Sequence, residues 1–509
     1  LSTGEKVNHQ TRFLQGSVTK TFTAMAIMSL VQSGKLNLED ELKIIAPEIP
    51  FENKWEDTQP IRLKHILEHK AGFDDMHLNT FGAGEGVYMT ALEKALIYKQ
   101  SYVSRWEPGL VSSYSNPGYA ILGFIIEKTS GMLYRDYIRQ AVLDPLDMNR
   151  TMYISEITAG SDNVAKAHTY NGSDYVPIKT YHGSKEAGGG LMSTQSDMIQ
   201  FVQYLLNKEQ QDSINLLTSK LVNEMESLHG WFDLENNLAY GYGLGIDLCD
   251  SEINDICYLG HSGGLIGASA HYLYNHEYNI GIAIVNNGGH SNRKIIELLL
   301  SNYRDKVTPS PTIKPSTDSK METEAWNGYY YPVNERNGIY SFINAPFNTI
   351  HLDIERDNVE LSYVMEGSTT YERYIGNALI SEGETSPGVY LTRTHDQPSL
   401  LFYQNYYRKI NGWVLHFFRS IGLAAIIGSL LLIVMALIQF IGSYKYSNWN
   451  GLAKFSMLIA APVLLALVSV GLLASQSSPE DLQSFSDVGF SSIIVFSQND
   501  TYSFPQFLF

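Results

Sequence analysis

Cysteine is nearly absent from this chain, which contains only 2 cysteines among 509 residues. So low a count excludes a disulfide-rich scaffold and a zinc site built from several cysteines. Positive charge is also scarce, because 36 lysines and arginines are outnumbered by 53 acidic residues, which leaves a formal net charge of -17. Since a nucleic-acid-binding surface normally carries a basic stripe, this balance argues against a nucleic-acid partner.

Charged residues of either sign are absent from two long stretches near the C-terminus. Residues 420–444 and 455–478 are strongly apolar, and each exceeds the roughly 20 residues needed to cross a lipid bilayer. Lys445 and Lys454 lie between them and only acids follow, so the positive-inside rule places the large N-terminal part outside the cytoplasm, in the periplasm or at the cell surface of a bacterium. Basic residues before position 420 favour the opposite orientation, but long translocated domains are largely exempt from the rule. A helical hairpin in the core of a soluble protein is the alternative.

Apolar residues are plentiful, since 44% of the chain is hydrophobic and its length suits two to four domains. We expect a main domain at 1–307, a linker rich in Pro, Ser and Thr at 308–324, a small β domain at 325–411 and a transmembrane region at 412–509 that includes the start of a third apolar segment. The aromatic residues of the β domain fit a carbohydrate or peptide surface, but the core of a barrel or sandwich explains them more simply.

A serine and a lysine open the first helical pattern of the chain. The pattern runs to about Gln32, and Ser17 and Lys20 are three residues apart, so they share one helix face. Unpaired backbone N–H groups at a helix start favour negative charge, which would help an alkoxide or an oxyanion at Ser17. Alone the pair is a weak signal, because an ordinary helix start with Ser17 as its cap and Lys20 in solvent has the same spacing.

Two further short motifs follow in order. A Tyr-Ser-Asn segment at residues 114–116 precedes a helical pattern at 118–129, which predicts a loop. From Gly241 the hydrophobic period changes to two, and this predicts successive antiparallel strands. The strands are expected at residues 242–246, 256–259, 268–274 and 280–285. A His-Ser-Gly-Gly segment at 261–264 lies at the end of the second strand.

Taken in order, these three motifs resemble those of the penicillin-recognising serine hydrolases. The likeness is to the branch that contains class C β-lactamases, esterases and D-aminopeptidases, the peptidase S12 type. It covers about residues 1–305 and includes longer blocks at 13–23, 66–73, 114–123 and 260–264. The resemblance implies an α+β fold, an antiparallel sheet flanked by helices with a helical subdomain after the nucleophile helix. The opening helix and strands of the family would precede Leu1, so we expect a truncated N-terminus.

The resemblance also implies catalytic roles. Ser17 would be the nucleophile that attacks a carbonyl and forms an acyl-enzyme. Lys20 and Tyr114 would share the proton transfers, and the sequence leaves open which of them is the base. His261 stands where β-lactamases and transpeptidases carry lysine, and an imidazole attracts a substrate carboxylate less strongly than an ammonium group does.

Further roles concern substrate binding. By the same resemblance, Asn116, Ser262 and Gly263 would contact the substrate, and the backbone N–H groups of Ser17 and Gly264 would form the oxyanion hole. No cofactor is implied. The expected function is therefore that of a membrane-anchored, extracytoplasmic serine hydrolase for an ester, an amide or a D-amino-acid peptide. The alternatives are a peptidoglycan DD-peptidase, penicillin-binding protein or β-lactamase, and a non-catalytic ligand sensor.

Two other features stay open at this point. His65, Glu68 and His69 match the H-x-x-E-H pattern of inverted zinc peptidases, in which two histidines one helical turn apart bind the metal. We expect no metal there, because His69 coincides with a structural histidine of the resembling family. Cys249 and Cys257 flank a predicted turn at 250–256 and could form a disulfide if the protein is exported.

Overall fold

In a computed structural model, the described residues are 6–416 and 420, with short gaps. The gaps are residues 76–87, 158–162, 179–185, 208–213, 215, 230–240, 254–255, 302–322, 335, 337–347, 356–357, 364–366, 374–377, 382–387, 395–396 and 403–404. Both predicted membrane segments, 420–444 and 455–478, the predicted linker and residues 1–5 lie almost entirely outside the described part.

A four-stranded antiparallel sheet forms the main wall of the first domain. Its strands follow one another as neighbours, and short turns join them, as the period-two pattern predicts. They are β6 (Asp247–Ile253), β7 (Ile256–Leu265), β8 (Ala268–Asn275) and β9 (Ile280–Asn286). A second sheet has the order β1-β5-β2, and β3 and β4 form a separate hairpin. These strands are β1 (Arg12–Leu14), β2 (Met152–Tyr153), β3 (His168–Tyr170), β4 (Tyr175–Pro177) and β5 (Leu191–Thr194).

The central helix α1 (Thr19–Gln32) is buried on nearly every side. Its Phe22 stacks on Phe201 with ring centroids 4.5 Å apart, and Phe201 in turn meets Tyr272 of β8. Because neighbouring elements surround α1, the residue at its start is held firmly. Helices α2 to α6 lie between α1 and β2 in the chain and form the helical subdomain. The helices are α2 (Leu42–Ile45), α3 (Leu63–Leu67), α4 (Ala91–Leu96), α5 (Asn116–Ser130), α6 (Tyr134–Ile138), α7 (Glu186–Gly189), α8 (Gln195–Leu206), α9 (Ser219–Met225), α10 (Arg293–Ser301) and α11 (Thr323–Trp326).

Two of the strand predictions need correction. Residues 242–246 form a turn rather than a strand, because Gly245 has φ +77° and its carbonyl accepts a hydrogen bond from Thr21 Oγ1 at 2.8 Å. Strand β7 continues to Leu265, well past the predicted end at position 259. The His-Ser-Gly-Gly segment therefore lies inside the strand, paired with β8, and not beyond its end.

The second domain is a closed eight-stranded antiparallel barrel. Strands β10 to β17 pair in sequence order, and β10 closes the barrel by pairing with β17. They are β10 (Gly328–Pro332), β11 (Ile350–Glu355), β12 (Asn358–Tyr363), β13 (Gly367–Arg373), β14 (Ala378–Ser381), β15 (Val389–Thr394), β16 (Gln397–Phe402) and β17 (Asn405–Ile410). Apolar side chains such as Leu352, Leu361 and Leu400 fill it and are fully buried, as in small barrels generally.

Among the residues that the structure describes, no helix is both long enough and apolar enough to span a membrane.

Candidate active site

Ser17 lies in a tight turn, Gly16–Val18, immediately before α1. It is half-buried, whereas its neighbours Gly16 and Val18 are buried. Gly16 has φ +51°, and a Cβ built there would lie 3.0 Å from both the carbonyl carbon of Gly263 and the amide nitrogen of Gly264. The main chain of β7 therefore runs against the turn that holds Ser17. An oxyanion hole formed by the backbone N–H groups of Ser17 and Gly264 stays a prediction.

Gly263 is the position where this approach is closest. A Cβ there would lie 2.0 Å from the carbonyl oxygen of Gln15 and 2.9 Å from the amide nitrogen of Ser17, and neither backbone atom can swing away. We expect Gly263→Ala to lower the free energy of unfolding by at least about 2 kcal/mol, measured by urea denaturation. Gly264→Ala is the matched control, because a Cβ at Gly264 meets nothing within 4 Å. Equal stability of the two variants would contradict the close approach.

Lys20 is fully buried, and its amino group lies close to polar groups around Ser17. Nζ lies 3.3 Å from Ser17 Oγ, 2.7 Å from Asn116 Oδ1 and 2.8 Å from the carbonyl oxygen of Gly188. It also lies 4.8 Å from the centre of the Tyr114 ring. The structure thus brings together the predicted residues Ser17, Lys20, Tyr114 and Asn116. An amine fixed beside a serine hydroxyl in a buried setting is an arrangement that can activate the serine.

Tyr114 lies in the loop before α5, whereas Asn116, predicted to lie in that loop, is the first residue of the helix. Ser115 caps α5 by accepting a hydrogen bond from Gly118 N at 3.3 Å, and its own N–H donates to Nδ1 of His69 at 3.1 Å. Burial, together with the charge of Lys20, keeps the pKa of His69 well below 6.5. A neutral His69 is suited to accept this bond, so its role is to position the loop.

His261 lies at the edge of the site with both ring nitrogens engaged. Nδ1 contacts the carbonyl oxygen of Ser262, which can only accept, so Nδ1 carries the proton. Nε2 lies 2.8 Å from Tyr242 Oη. Burial raises the pKa of Tyr242 well above 10, so its phenol stays protonated beside Nε2. A direct catalytic role for His261 stays a prediction, as do the substrate contacts of Ser262 and Gly263.

The H-x-x-E-H residues do not share one helix face. Helix α3 ends at Leu67, and His69 follows it with φ +57°, in the left-handed region. His65 Nδ1 accepts a hydrogen bond from the backbone N–H of Arg62 at 3.2 Å, and Glu68 accepts from His229. Each side chain therefore has a structural role. Within the described residues, no group of three or more His, Cys, Asp or Glu is arranged to hold a metal ion.

His65 makes the stability of the fold pH-dependent. Burial lowers its pKa from 6.5 to about 4, so the folded protein favours the neutral ring. The neutral ring contributes fully to the free energy of unfolding above pH 6.5. This contribution is lost as the pH falls towards 4, because the unfolded chain takes up the proton first. In His65→Gln, the amide oxygen can accept the same bond from Arg62 N–H without titrating. When the pH is lowered from 7.5 to 4.5, we expect the free energy of unfolding to fall by about 2–3 kcal/mol less in this variant than in the wild type.

Urea denaturation at both pH values measures this difference. His9→Gln is the control for the substitution itself, because His9 is exposed. It should leave the unfolding free energy at pH 7.5 close to that of the wild type. Parallel pH profiles for His65→Gln and the wild type would contradict the interpretation.

Three contributors to the site have no local sequence signal. Asp75 holds the amide of Asn116, the carbonyl of Gly188 accepts from Lys20, and Tyr242 fixes His261. Asp75 lies eight residues beyond the end of α3 at Leu67, and its buried position is visible only in the folded domain. A single acidic residue after a helix is too common a pattern to have found it.

Cys249 and Cys257 form a disulfide between β6 and β7, with their Cα atoms 4.9 Å apart. The bond ties together the two strands of one hairpin. The predicted turn at 250–256 is shorter in the structure, since β6 extends to Ile253 and β7 begins at Ile256.

Comparison with known proteins identifies relatives of this architecture. The chain is 27% identical over 210 residues to a beta-lactamase of Yersinia enterocolitica, an alignment that covers 41% of this chain and 50% of that protein. It is 27% identical over 294 residues to penicillin-binding protein 4 of Amycolatopsis lactamdurans, covering 56% and 75% respectively. The chain thus spans half the length of the first of these relatives.

A solved structure, that of SurE, shows the same fold. It matches with a TM-score of 0.54 at 20% identity and covers 80% of this chain and 90% of its own. The family described as Beta-lactamase matches residues 1–299, more than half of the chain. With Ser17, Lys20, Tyr114 and Asn116 gathered in one site, the chain belongs to the Beta-lactamase family, within the penicillin-recognising serine hydrolases.

Proposed function

We propose that this protein is a serine hydrolase that forms an acyl-enzyme at Ser17 and acts on an ester, an amide or a peptide containing D-amino acids. One observation carries the proposal. The buried amino group of Lys20 lies 3.3 Å from Ser17 Oγ and is held there by Asn116 and Gly188. A helix start that needs only a cap would not bury a lysine against the hydroxyl, since burial of an amine is costly without a fixed set of partners.

The reaction follows from this geometry. Ser17 Oγ attacks the substrate carbonyl carbon, and its proton passes to Lys20 as a neutral amine or to Tyr114 as a phenolate. The negative oxygen of the tetrahedral intermediate is held by the N–H groups of Ser17 and Gly264. The intermediate collapses as the leaving alcohol or amine takes up the proton, and an acyl group stays on Ser17. Water then gives a proton to the same base and attacks the ester carbonyl, Ser17 Oγ leaves and takes that proton back, and the carboxylic acid is released.

The substrate class is inferred from His261. A lysine at this position would offer a compact cation to a free carboxylate. In this chain, the two imidazole nitrogens are hydrogen-bonded to Tyr242 and to the Ser262 carbonyl. The imidazole is thus less able to bind a carboxylate. This favours esters, amides and D-amino-acid peptides over β-lactams and over carboxypeptidase substrates with a free C-terminus.

A peptidoglycan DD-peptidase or β-lactamase activity is the second candidate. The names of the relatives favour it, since one is a beta-lactamase and another a penicillin-binding protein. Acylation by a fluorescent penicillin with slow release would support this candidate, whereas hydrolysis of D-aminoacyl amides or short-chain esters without penicillin binding would support the first. A non-catalytic sensor would bind such compounds without any adduct at Ser17.

The proposal includes a membrane anchor with the hydrolase domain outside the cytoplasm of a bacterium. The uncharged composition of residues 420–444 and 455–478 supports the anchor, and the lysines between them support the orientation. We consider cells from which the cell wall and any outer membrane have been removed while the cytoplasmic membrane stays intact. Protease added to them should digest the domain that contains Ser17. Full protection of that domain would contradict the orientation.

The decisive experiment is labelling of the full-length protein in detergent with an alkyl fluorophosphonate. Trypsin cleaves after Arg12 and Lys20, so the nucleophile lies on one short peptide, 13–20. Mass spectrometry should find the adduct on Ser17 within this peptide. A folded protein that gives no adduct, or an adduct elsewhere only, would exclude the serine hydrolase. A panel of D-aminoacyl amides, short-chain esters and β-lactams then separates the substrate classes.

A further inference from the structure

An apolar cluster joins the barrel to the first domain. It consists of Trp106, Leu110 and Val111 from the loop before Tyr114, and of Leu401 and Tyr406 from the barrel. All five side chains are buried. Burial of two aromatic rings and three aliphatic side chains fixes the barrel beside the loop that carries the site residues.

The segment after β10 makes further contacts with the first domain, closer to the active site. Asn334 is buried, and its Nδ2 donates to the carbonyl oxygen of Ser112 at 2.6 Å. Its Oδ1 accepts from Tyr406 N at 2.7 Å, so one side chain bridges the first domain and β17. Two residues later, this segment reaches Asp75.

Arg336 meets Asp75 through both its side chain and its main chain. Its Nε donates to Asp75 Oδ2, and its carbonyl oxygen accepts from Asp75 N at 3.1 Å. Its guanidinium carbon lies 4.7 Å from the centre of the Tyr114 ring. A residue of the barrel domain thus contacts Tyr114, which lies beside Lys20, and Asp75, which holds Asn116.

Asp75 links Arg336 to Lys20 through Asn116. The carboxylate is 3% exposed and accepts hydrogen bonds from the backbone N–H of Asn116 at 3.0 Å and from its Nδ2 at 3.1 Å. Because Nδ2 faces the carboxylate, Oδ1 of Asn116 faces Lys20 Nζ, at 2.7 Å. A carboxylate buried without a counter-charge is costly, and Arg336 supplies that charge.

We propose that Arg336 is a positioning residue that the barrel domain contributes to the active site, acting through Asp75 and Asn116 on Lys20. The inference deepens the proposed function and rests on it, because Lys20 matters only if Ser17 reacts. The barrel domain would then be needed for the full reaction rate at Ser17. A purely structural ion pair between domains is the competing interpretation, and it predicts an effect on stability without an effect on chemistry.

The test compares the kinetics of Ser17 labelling by an alkyl fluorophosphonate in wild type, Arg336→Met and Arg336→Lys, with the full chain. We expect Arg336→Met to lower the maximal rate of labelling by about 10- to 100-fold while the half-saturating probe concentration changes little. Arg336→Lys keeps the charge and should recover part of the rate. Arg393→Met is the matched control, since this barrel arginine lies 5.5 Å from the Trp326 ring and does not contact Asp75 in the network described above.

A double-variant measurement tests the route through Asp75. In an Asp75→Asn background, Arg336→Met should change the labelling rate by less than about twofold, because the residue through which it acts has already been altered. Arg336→Met with the labelling rate of the wild type, whatever its thermal stability, would overturn the proposal. So would equal losses in Arg336→Met and Arg393→Met.

Failure of the proposed function is a separate outcome. If the folded wild type gives no adduct, the hydrolase is excluded, and crystal structures of wild type and Arg336→Met decide the positioning role. Displacement of the Asn116 amide from Lys20 in the variant would support it. An unchanged chain from Asp75 through Asn116 to Lys20 would overturn it.

Discussion

Ser17→Ala is expected to lose labelling by an alkyl fluorophosphonate completely, a fall in rate of at least about 10⁴-fold. The variant removes the atom to which the proposal assigns the covalent bond, and it leaves Lys20 bonded to Asn116 and Gly188. Its unfolding free energy should therefore change by less than about 1 kcal/mol.

Ser33→Ala is the matched control for this experiment. Ser33 lies at the other end of α1, where its Oγ bonds the carbonyl oxygen of Leu30 at 3.0 Å. The Ser33→Ala variant should be labelled at the same rate as the wild type. Persistent labelling of Ser17→Ala, mapped to the peptide of residues 13–20 or to another serine, would exclude Ser17 as the nucleophile.

Lys20→Met is expected to lower the labelling rate by about 10²- to 10⁴-fold, the range that a positioned acid–base group supplies. Methionine is of similar length and keeps the apolar part of the side chain. The variant leaves Asn116 Oδ1 and the Gly188 carbonyl without their present partner, which should cost about 1–3 kcal/mol of stability. Thermal unfolding is therefore measured beside the labelling rate, and rates are taken where the variant is folded.

Lys128→Met is the control for replacing a lysine that lies outside the active site. Lys128 forms an exposed ion pair with Glu48 at 2.8 Å, and exposed pairs contribute little. Its replacement should leave both rate and stability close to the wild type. A folded Lys20→Met that reacts as fast as the wild type would show that the amine has no part in activating Ser17.

The closeness of Ser17 and Lys20 was predictable because they are three residues apart in the sequence. The turn Gly16–Val18 runs directly into α1, and positions three apart lie on the same side of such a turn. The helix expected at 118–129 was also predictable, although it begins two residues earlier, at Asn116. Ser115 caps its start, and Gly131, with φ +75°, ends it one residue after Ser130.

Contacts between distant segments could not be predicted in this way. Asp75 and Arg336 are separated by 261 positions, and only the docking of the barrel brings them together. The wrong strand at 242–246 has a related cause. Its alternating pattern is overridden by the packing of Gly245 against α1, where a Cβ would lie 2.5 Å from that of Ala24. Local patterns record periodicity, whereas such contacts depend on tertiary packing.

The closure of the barrel by β10 and β17 has a mechanical consequence. Tyr329 pairs with Ile410, so the chain enters and leaves the barrel at the same rim, on neighbouring antiparallel strands. Tension between the segments before and after the barrel would therefore pull these strands apart from one end. The hydrogen bonds between β10 and β17 would break one at a time, as in a zipper, and not resist together. Under load, this seam is where the barrel opens first.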